Sequence, residues 1–212
     1  MYNIFRLIIV SLICLCTLTL LLAETDETRE PPLKYKLLID GKAYDIVEKE
    51  PLKLTGTLKD PTVKLEAEEN REFTYGGVSF LYPRGFSFEP DIKDVSCKSW
   101  TLTGTDTTVL YINMTEELTL EDYVQAIIAE LGKKKCNSPK EVKVELLGKQ
   151  IKASRFKLTS NDVKMDIEII RLPTTNGSKF LYFQFTQDET GKKNKVSEDT
   201  YALILKSIAF KN

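Results

Sequence analysis

The sequence predicts an α+β protein built on a mainly antiparallel sheet, and three observations support this fold class. Alternating apolar runs are joined by short turns, two segments have helical spacing with marked ends, and one aromatic strand–turn–strand stretch divides the chain. We expect this stretch to open the main domain and a small β-hairpin annex to precede it.

The aromatic stretch covers residues 73–88 and reads FTYGGVSFLYPRGFSF. Val78, Phe80 and Tyr82 stand at alternate positions, which predicts a strand with one apolar face. The Pro-Arg-Gly turn at 83–85 then leads into a second alternation of aromatics. We expect the two strands to form the first hairpin of the main sheet.

Residues 1–23 have the pattern of a secretory signal peptide. Arg6 ends a short first region, an apolar run extends to Ala23, and acidic residues follow. Leu21 stands where a small residue is preferred before cleavage, so an uncleaved membrane anchor over residues 7–23 is the alternative. Both interpretations export the remaining chain, to the periplasm or outside the cell.

Residues 24–33 are polar and proline-containing, which predicts a flexible or extended linker. Residues 34–70 predict the annex, because alternating runs flank an Asp-Gly pair at 40–41. Further short strands are expected at 51–54 and 63–65. Few large apolar residues occur here, so we expect the annex to pack on the main domain or on a partner; a partly ordered spacer is the alternative.

Residues 71–212 predict a single main domain. The β-branched run at 108–115 favours a central strand. A helix should begin after Thr119, its N-cap, and stop at Gly132. Turn-joined strands between 142 and 185 then predict an antiparallel meander.

Two finer features complete the predicted main domain. The apolar positions change phase between Ala153 and Phe156, which indicates a β-bulge. Ser197 precedes a helical apolar stripe and is expected to cap the last helix.

The chain of 212 residues contains no histidine. This excludes Ser-His-Asp and Cys-His catalysis and zinc sites that contain histidine. Lys and Arg total 30 and Asp and Glu total 31, so the net charge of −1 favours neither nucleic acid nor anionic membranes as partners. Phosphate-binding and EF-hand motifs are also missing, and we predict no catalytic residue, no cofactor and no metal site.

Cys97 and Cys136 are the only cysteines after the N-terminal apolar run. An even pair in an exported chain favours a disulfide bond, whereas two free, partly buried thiols are the alternative. Asn113 and Asn176 each begin an N-glycosylation triplet. We expect only Asn176 to be accessible, because it lies at a hairpin tip and Asn113 lies in a strand.

Carboxylates offer little for catalysis in this sequence. Asp166 and Glu168 alternate with apolar residues, so we expect them on the solvated face of a strand with basic partners on the neighbouring strand. The aromatics near the organising stretch are first interpreted as core. The alternative is a ligand-binding or interface patch formed by Tyr82, Phe86, Phe88 and Trp100.

The segment GVSFLYPRGFSF resembles the opening of PsbP-like domains, in which a strand leads through a Tyr-Pro-x-Gly-aromatic turn. The resemblance continues through VLYINM, the helix start TLEDY and the ending SIAF, over about residues 73–212. It implies an α/β/α sandwich with a central antiparallel sheet. The family includes an extrinsic photosystem II subunit, DcrB-type lipoproteins and a small Ran-binding factor, which implies binding rather than catalysis.

These observations lead to three functional hypotheses. The first is an exported, non-catalytic binding or accessory protein with a protein partner in the cell envelope or outside the cell. It would touch a membrane only through an uncleaved N-terminal segment. The alternatives are a small-ligand carrier with a pocket between sheet and helix, and a carboxylate-based hydrolase.

Overall fold

A computed structural model describes residues 27–210 of the chain. The predicted signal peptide or anchor, residues 1–23, lies outside this range, as do the first positions of the predicted linker. Neither helix within the described range is long and apolar enough to cross a bilayer.

Thirteen strands form three antiparallel sheets in this part of the chain. The annex sheet contains β1 (Lys34–Ile39), β2 (Lys42–Val47) and β3 (Val63–Ala67), with β1 in the middle. The small sheet contains β4 (Asn70–Phe73), β5 (Val78–Pro83) and β13 (Ala209–Phe210), with β5 in the middle. The large sheet contains seven strands: β6 (Ser87–Asp91), β7 (Cys97–Thr103), β8 (Thr107–Met114), β9 (Lys140–Leu146), β10 (Lys149–Ser160), β11 (Val163–Leu172) and β12 (Ser178–Thr186).

The strands of the large sheet lie in the order β6-β7-β8-β12-β11-β10-β9. The predicted meander is confirmed, because β9 to β12 are neighbours in sequence order and every pair is antiparallel. β8 pairs with both β7 and β12, so the run at 108–115 is an interior strand as predicted. The Asp-Gly hairpin between β1 and β2 is also confirmed, whereas residues 51–54 form no strand.

Helix α1 (Leu120–Leu131) begins and ends where the sequence predicts. Thr119 is its N-cap, and the Thr119 hydroxyl oxygen accepts a hydrogen bond from the backbone N–H of Asp122 at 3.1 Å. Gly132 ends the helix with a φ of 96°, which a residue with a side chain adopts at a cost.

Helix α2 (Lys195–Ser207) is capped by Asn194, and the prediction of Ser197 as the cap is wrong. The Asn194 side-chain oxygen accepts the backbone N–H of Ser197 at 2.8 Å. The Ser197 hydroxyl is instead buried, where it accepts a hydrogen bond from the Thr107 hydroxyl at 2.7 Å. The helix therefore starts earlier, because asparagine satisfies its first free N–H groups.

The predicted α/β/α sandwich is wrong: the structure is mostly β, with 49% strand and 14% helix. α1 packs alone against β10 and β11 on one face of the large sheet. α2 shares the other face with the small sheet and contacts β5. The physical reason lies in the short antiparallel connections from β9 to β12, which have no room for crossover helices that would build two helical layers.

The stretch 73–88 contains the expected strands, but they do not form a hairpin. β5 pairs with β4 and β13 in the small sheet, whereas β6 pairs with β7 in the large sheet. The turn after Pro83 therefore moves the chain from one layer to another, with Phe86 N–H bonded to Pro83 O at 3.1 Å. Alternation predicted each strand but carried no information on its pairing partner.

The large sheet is buried on both faces. In β12, Leu181, Phe183 and Phe185 face the small sheet and α2, while Phe180 and Tyr182 face α1. The same two-sided burial explains β10, whose pairing runs without interruption along β9 and β11. The predicted bulge is wrong, because the apolar residues on either side of the phase change belong to opposite faces.

Candidate functional site

The aromatic residues proposed as a patch lie in the core under the small sheet. Tyr82 and Trp100 have no exposed surface, Phe86 is buried, and Phe88 is partly buried against the same cluster. The Trp100 ring stacks on Tyr111 of the neighbouring strand at a centroid distance of 5.5 Å. Core packing is therefore the interpretation that the structure supports for this set.

The outer rim of this aromatic cluster is covered by the chain itself. We call residues 27–31 the N-terminal strap. Trp100 Nε1 donates to the carbonyl of Glu27 at 2.9 Å, and the Tyr75 hydroxyl donates to the carbonyl of Arg29 at 2.5 Å. Arg71 donates to the carbonyl of Pro31 at 3.0 Å. The last part of the predicted linker is thus docked on the main domain and includes a turn at Glu27 and Thr28.

Charged groups reinforce the strap at both of its ends. Lys98 and Glu27 form an ion pair at 2.7 Å, and Arg71 and Glu30 form another at 2.6 Å. The Arg71 side chain is largely buried in this position. Carboxylates of the strap therefore meet cations of the main domain, which orders a segment that its composition alone would leave mobile.

The buried carboxylate of the main domain is Glu168, and its expected position on a solvated face is wrong. α2 covers this part of β11, so Glu168 has no exposed surface. One of its oxygens accepts from Arg155 Nε at 2.8 Å, and the other accepts from the Tyr201 hydroxyl of α2. The expected basic partners on β10 are confirmed, since Lys157 also lies 3.7 Å from Asp166.

Lys193 stands at the edge of this buried ion pair. Its ammonium nitrogen lies 3.7 Å from the centre of the Phe185 ring, as in a cation–π contact. Burial lowers the pKa of Lys193, and the nearby charge of Glu168 opposes that change. Burial also raises the pKa of Tyr201, with a further contribution from its hydrogen bond to Glu168. The group ties α2 to β10 and β11 and occupies both carboxylate oxygens.

The two cysteines are free thiols in the structure. Cys97 is the first residue of β7. Cys136 forms an isolated backbone β-bridge with Leu158, on the edge of β10 that faces away from β11. Four strands lie between them, so the two residues are five inter-strand spacings of about 4.8 Å apart, or roughly 24 Å, which is far beyond the reach of a disulfide. The predicted bond is therefore absent here. Burial raises the pKa of both thiols, which lowers their reactivity.

Asn176 is exposed in the turn between β11 and β12, as expected for an acceptor asparagine. The Ser178 hydroxyl of the same triplet is buried and donates to the carbonyl of Leu118 at 3.2 Å. Asn113 lies within β8, as the sequence indicated. Glycosylation of Asn176 stays a prediction.

Two adjoining grooves flank the start of α1. They have volumes of about 460 and 470 Å³ and share Thr119, Leu120 and Lys152. The first groove lies between α1 and β10, on the opposite face of the large sheet from the aromatic cluster. Its lining contains none of the residues proposed as a patch, and ligand binding by a pocket between sheet and helix stays a prediction.

The annex carries a surface that the sequence-based search for sites missed. Ten large apolar side chains are exposed in the described chain, and five of them fall within residues 52–65. We call these five the annex surface: Leu52, Leu54, Leu58, Val63 and Leu65. The signal was the alternation in VKLEA, which predicted a strand but not that its apolar residues would stay uncovered.

Few interactions join the annex to the main domain. Lys34 and Glu72 form an ion pair at 2.9 Å between half-exposed side chains. A groove of about 380 Å³ separates β3 from Leu81 of β5. No cluster of His, Cys, Asp and Glu suited to a metal ion occurs within residues 27–210.

The comparisons with known proteins add no identity to this geometry. No protein-family model matches the chain, and no curated protein matches it. The resemblance to PsbP-like domains therefore stays a prediction that rests on the quoted motifs.

Proposed function

We propose that this chain is an exported, non-catalytic binding protein and that it holds a protein partner through the annex surface. The observation that carries the proposal is that half of the exposed large apolar residues of the described range 27–210 lie within residues 52–65. Exposed apolar residues that are grouped in one segment of a chain, rather than scattered singly, favour an interaction site.

The polar chemistry of the main domain supports binding over catalysis. Glu168 is the fully buried carboxylate, and hydrogen bonds from Arg155 and Tyr201 occupy its two oxygens. A general acid or base must reach a proton of the substrate, and a carboxylate enclosed in this way has no open side. Its position favours a structural tie between α2 and the large sheet.

Export is inferred from the N-terminal sequence pattern. The partner is therefore expected in the cell envelope or in the medium. An apolar annex surface favours a partner with a matching apolar patch rather than a polyanion.

The test is recovery of a complex with defined stoichiometry. The full chain is purified under native conditions from the envelope and medium of producing cells, and its mass is measured by light scattering after size exclusion. We expect a stable complex with wild type and its loss in the double variant Leu54→Asp/Leu58→Asp. Leu147→Asp is the control, because Leu147 is also an exposed leucine and lies away from the annex, at the turn between β9 and β10.

Two results would count against the proposal. One is recovery of the free chain alone from every fraction. The other is a complex that survives the double variant while circular dichroism shows that the fold is intact, because the contact would then lie elsewhere.

A further inference from the structure

The outer edge of β3 is unpaired in the described part of the chain. β3 lies at the border of the annex sheet, and its inner edge pairs with β1. Asp40 N–H bonds to Thr62 O at 3.0 Å, and Glu68 N–H bonds to Lys34 O at 2.9 Å. Hydrogen-bonded pairs alternate along an antiparallel ladder, so the backbone groups of the odd-numbered residues 63, 65 and 67 point outward.

Both edges of the large sheet carry features that discourage further pairing, but β3 does not. β6 contains Pro90, which lacks an N–H group, and β9 exposes Lys140 and Lys143. Prolines and unpaired lysines are the usual protection of edge strands. On β3, Lys64 and Glu66 form an ion pair at 2.5 Å, so their charges cancel.

The sequence of β3 is complementary to itself when it is read in the opposite direction. In an antiparallel pair centred on Leu65, Leu65 meets Leu65 of the second chain and Lys64 meets Glu66. Val63 meets Ala67, so every opposed pair is either apolar or oppositely charged. The register also brings outward-pointing backbone groups face to face, which allows six hydrogen bonds across the two-fold axis.

We infer that β3 pairs with β3 of a second copy of this chain, which joins two annex sheets into one six-stranded sheet. The existing pairing places Leu65 beside Leu37 and Val63 beside Ile39. These residues share one face, so the joined sheet has a continuous apolar face. A two-fold axis through Leu65 makes the contact isologous and closed, which ends association at two chains.

The complementary charges of Lys64 and Glu66 favour pairing of the β3 edge with a second copy of the chain rather than with an unrelated strand. A foreign strand would need an acid opposite Lys64 and a base opposite Glu66 in one register. The chain itself supplies both at the correct spacing. This inference goes beyond the proposed function and does not depend on it, because the partner test above alters leucines 54 and 58 of the loop and leaves β3 unchanged.

Charge reversal on β3 tests the inference. The full chain is compared with Lys64→Glu, Glu66→Lys and the double swap by light scattering over a range of concentrations. The proposed contact pairs the five residues of β3 in one chain with the five of the other. This interface is small, so we expect a weak dimer. Each single reversal opposes like charges twice and should raise Kd about tenfold. The double swap should return Kd to within about threefold of wild type.

Lys143→Glu on β9 is the control for charge reversal on an edge strand, and it should leave Kd unchanged. Thermal unfolding of each variant checks that the fold is retained. We expect similar unfolding temperatures, because exposed ion pairs contribute little to stability. A wild-type chain that stays monomeric at all concentrations would overturn the inference. So would a double swap that dimerises no better than the single reversals.

Cross-linking supplies a second, independent measurement. Leu65→Cys places the new thiol on the proposed two-fold axis, and mild oxidation should link two chains through it. Leu147→Cys is the control, with 55% exposure against 58% for Leu65 and the same native cysteines present. Equal yields of linked dimer from the two variants would contradict self-pairing. Linkage of Leu65→Cys to a different polypeptide would also contradict it, even if the proposed binding function held.

Discussion

The large sheet and the annex sheet use the same antiparallel ladder but differ in what covers them. β12 is buried on both faces, between α1 on one side and α2 with the small sheet on the other. Four of the five residues of β3 are exposed. The strands of the large sheet are therefore held by packing on both faces as well as by backbone pairing. The annex sheet relies mainly on pairing, and the apolar side chains of β3 stay exposed.

Most of the free energy of unfolding is therefore expected to come from the main domain. Hydrophobic burial scales with area removed from water, and the annex removes little from its outer strand. Changes in the core should therefore alter the free energy of unfolding, and matched changes in the annex should alter association instead.

The largest effect should come from alkaline pH. Burial raises the pKa of five tyrosines, all in the main domain: Tyr82, Tyr111, Tyr123, Tyr182 and Tyr201. Above about pH 10 the unfolded chain loses these protons while the folded chain keeps them, so stability must fall as pH rises.

Urea unfolding at a series of pH values, with tyrosinate absorbance recorded in parallel, measures this effect. The midpoint should stay nearly flat between about pH 6 and 8, because the chain has no histidine to titrate there. It should then drop steeply above about pH 10. Ionisation of all tyrosines near pH 10 in a chain that remains folded would contradict the burial described above.

Truncation of one leucine in each sheet compares the contributions of the two sheets to the free energy of unfolding. Leu181→Ala in β12 should lower the free energy of unfolding by about 2–5 kcal/mol, because it leaves a cavity in a fully buried layer. Leu65→Ala makes the same chemical change on β3 and should cost less than about 0.5 kcal/mol. Chemical denaturation at low protein concentration measures both. Similar losses would show that the annex carries more packing than its exposure indicates.

A smaller difference is expected between two cross-strand ion pairs. Arg155→Met removes both hydrogen bonds that the guanidinium donates to the buried Glu168, and it should cost about 2 kcal/mol. Lys152→Met removes the partner of Glu141, a pair exposed to solvent, and should cost less than about 1 kcal/mol. Denaturation at neutral pH in low and high salt compares them. An equal, salt-sensitive loss would mean that Glu168 is hydrated.

Elements that depend on neighbouring residues could be predicted from the sequence. The Thr119 cap, the glycine that ends α1, the Asp-Gly hairpin and the meander were all found where expected. Each depends on a few adjacent residues whose conformations are limited by sterics or by a local hydrogen bond. Local chemistry is legible in one sequence because it requires no knowledge of what packs above it.

Features that depend on distant segments could not be predicted in this way. The separation of β5 and β6 into different sheets follows from the positions of β4, β7 and β13. The burial of Glu168 follows from α2 and its Tyr201, which lies 33 residues further along the chain. The false bulge in β10 arose because two buried faces produce the same change of phase as an inserted residue.

The candidate surface was the least predictable part. Tyr82 and Trp100 are candidates for an interface patch because large aromatic residues are common at interfaces. Large aromatic residues also fill protein cores, and both of these are fully buried. Val63 and Leu65 looked like an ordinary amphipathic strand. Their exposure arises because no other segment packs over them. No sequence motif indicates that a strand will stay uncovered.

The N-terminal strap determines how mechanical tension would enter the molecule. Residues 24–26 separate the apolar run from Glu27, and three extended residues span at most about 10 Å. If the apolar run stays in a membrane, a pull on the domain would load the hydrogen bonds from Trp100, Tyr75 and Arg71 in turn. The annex follows the strap in the chain and would be shielded from that load, so its open edge could engage a partner while the anchor is under strain.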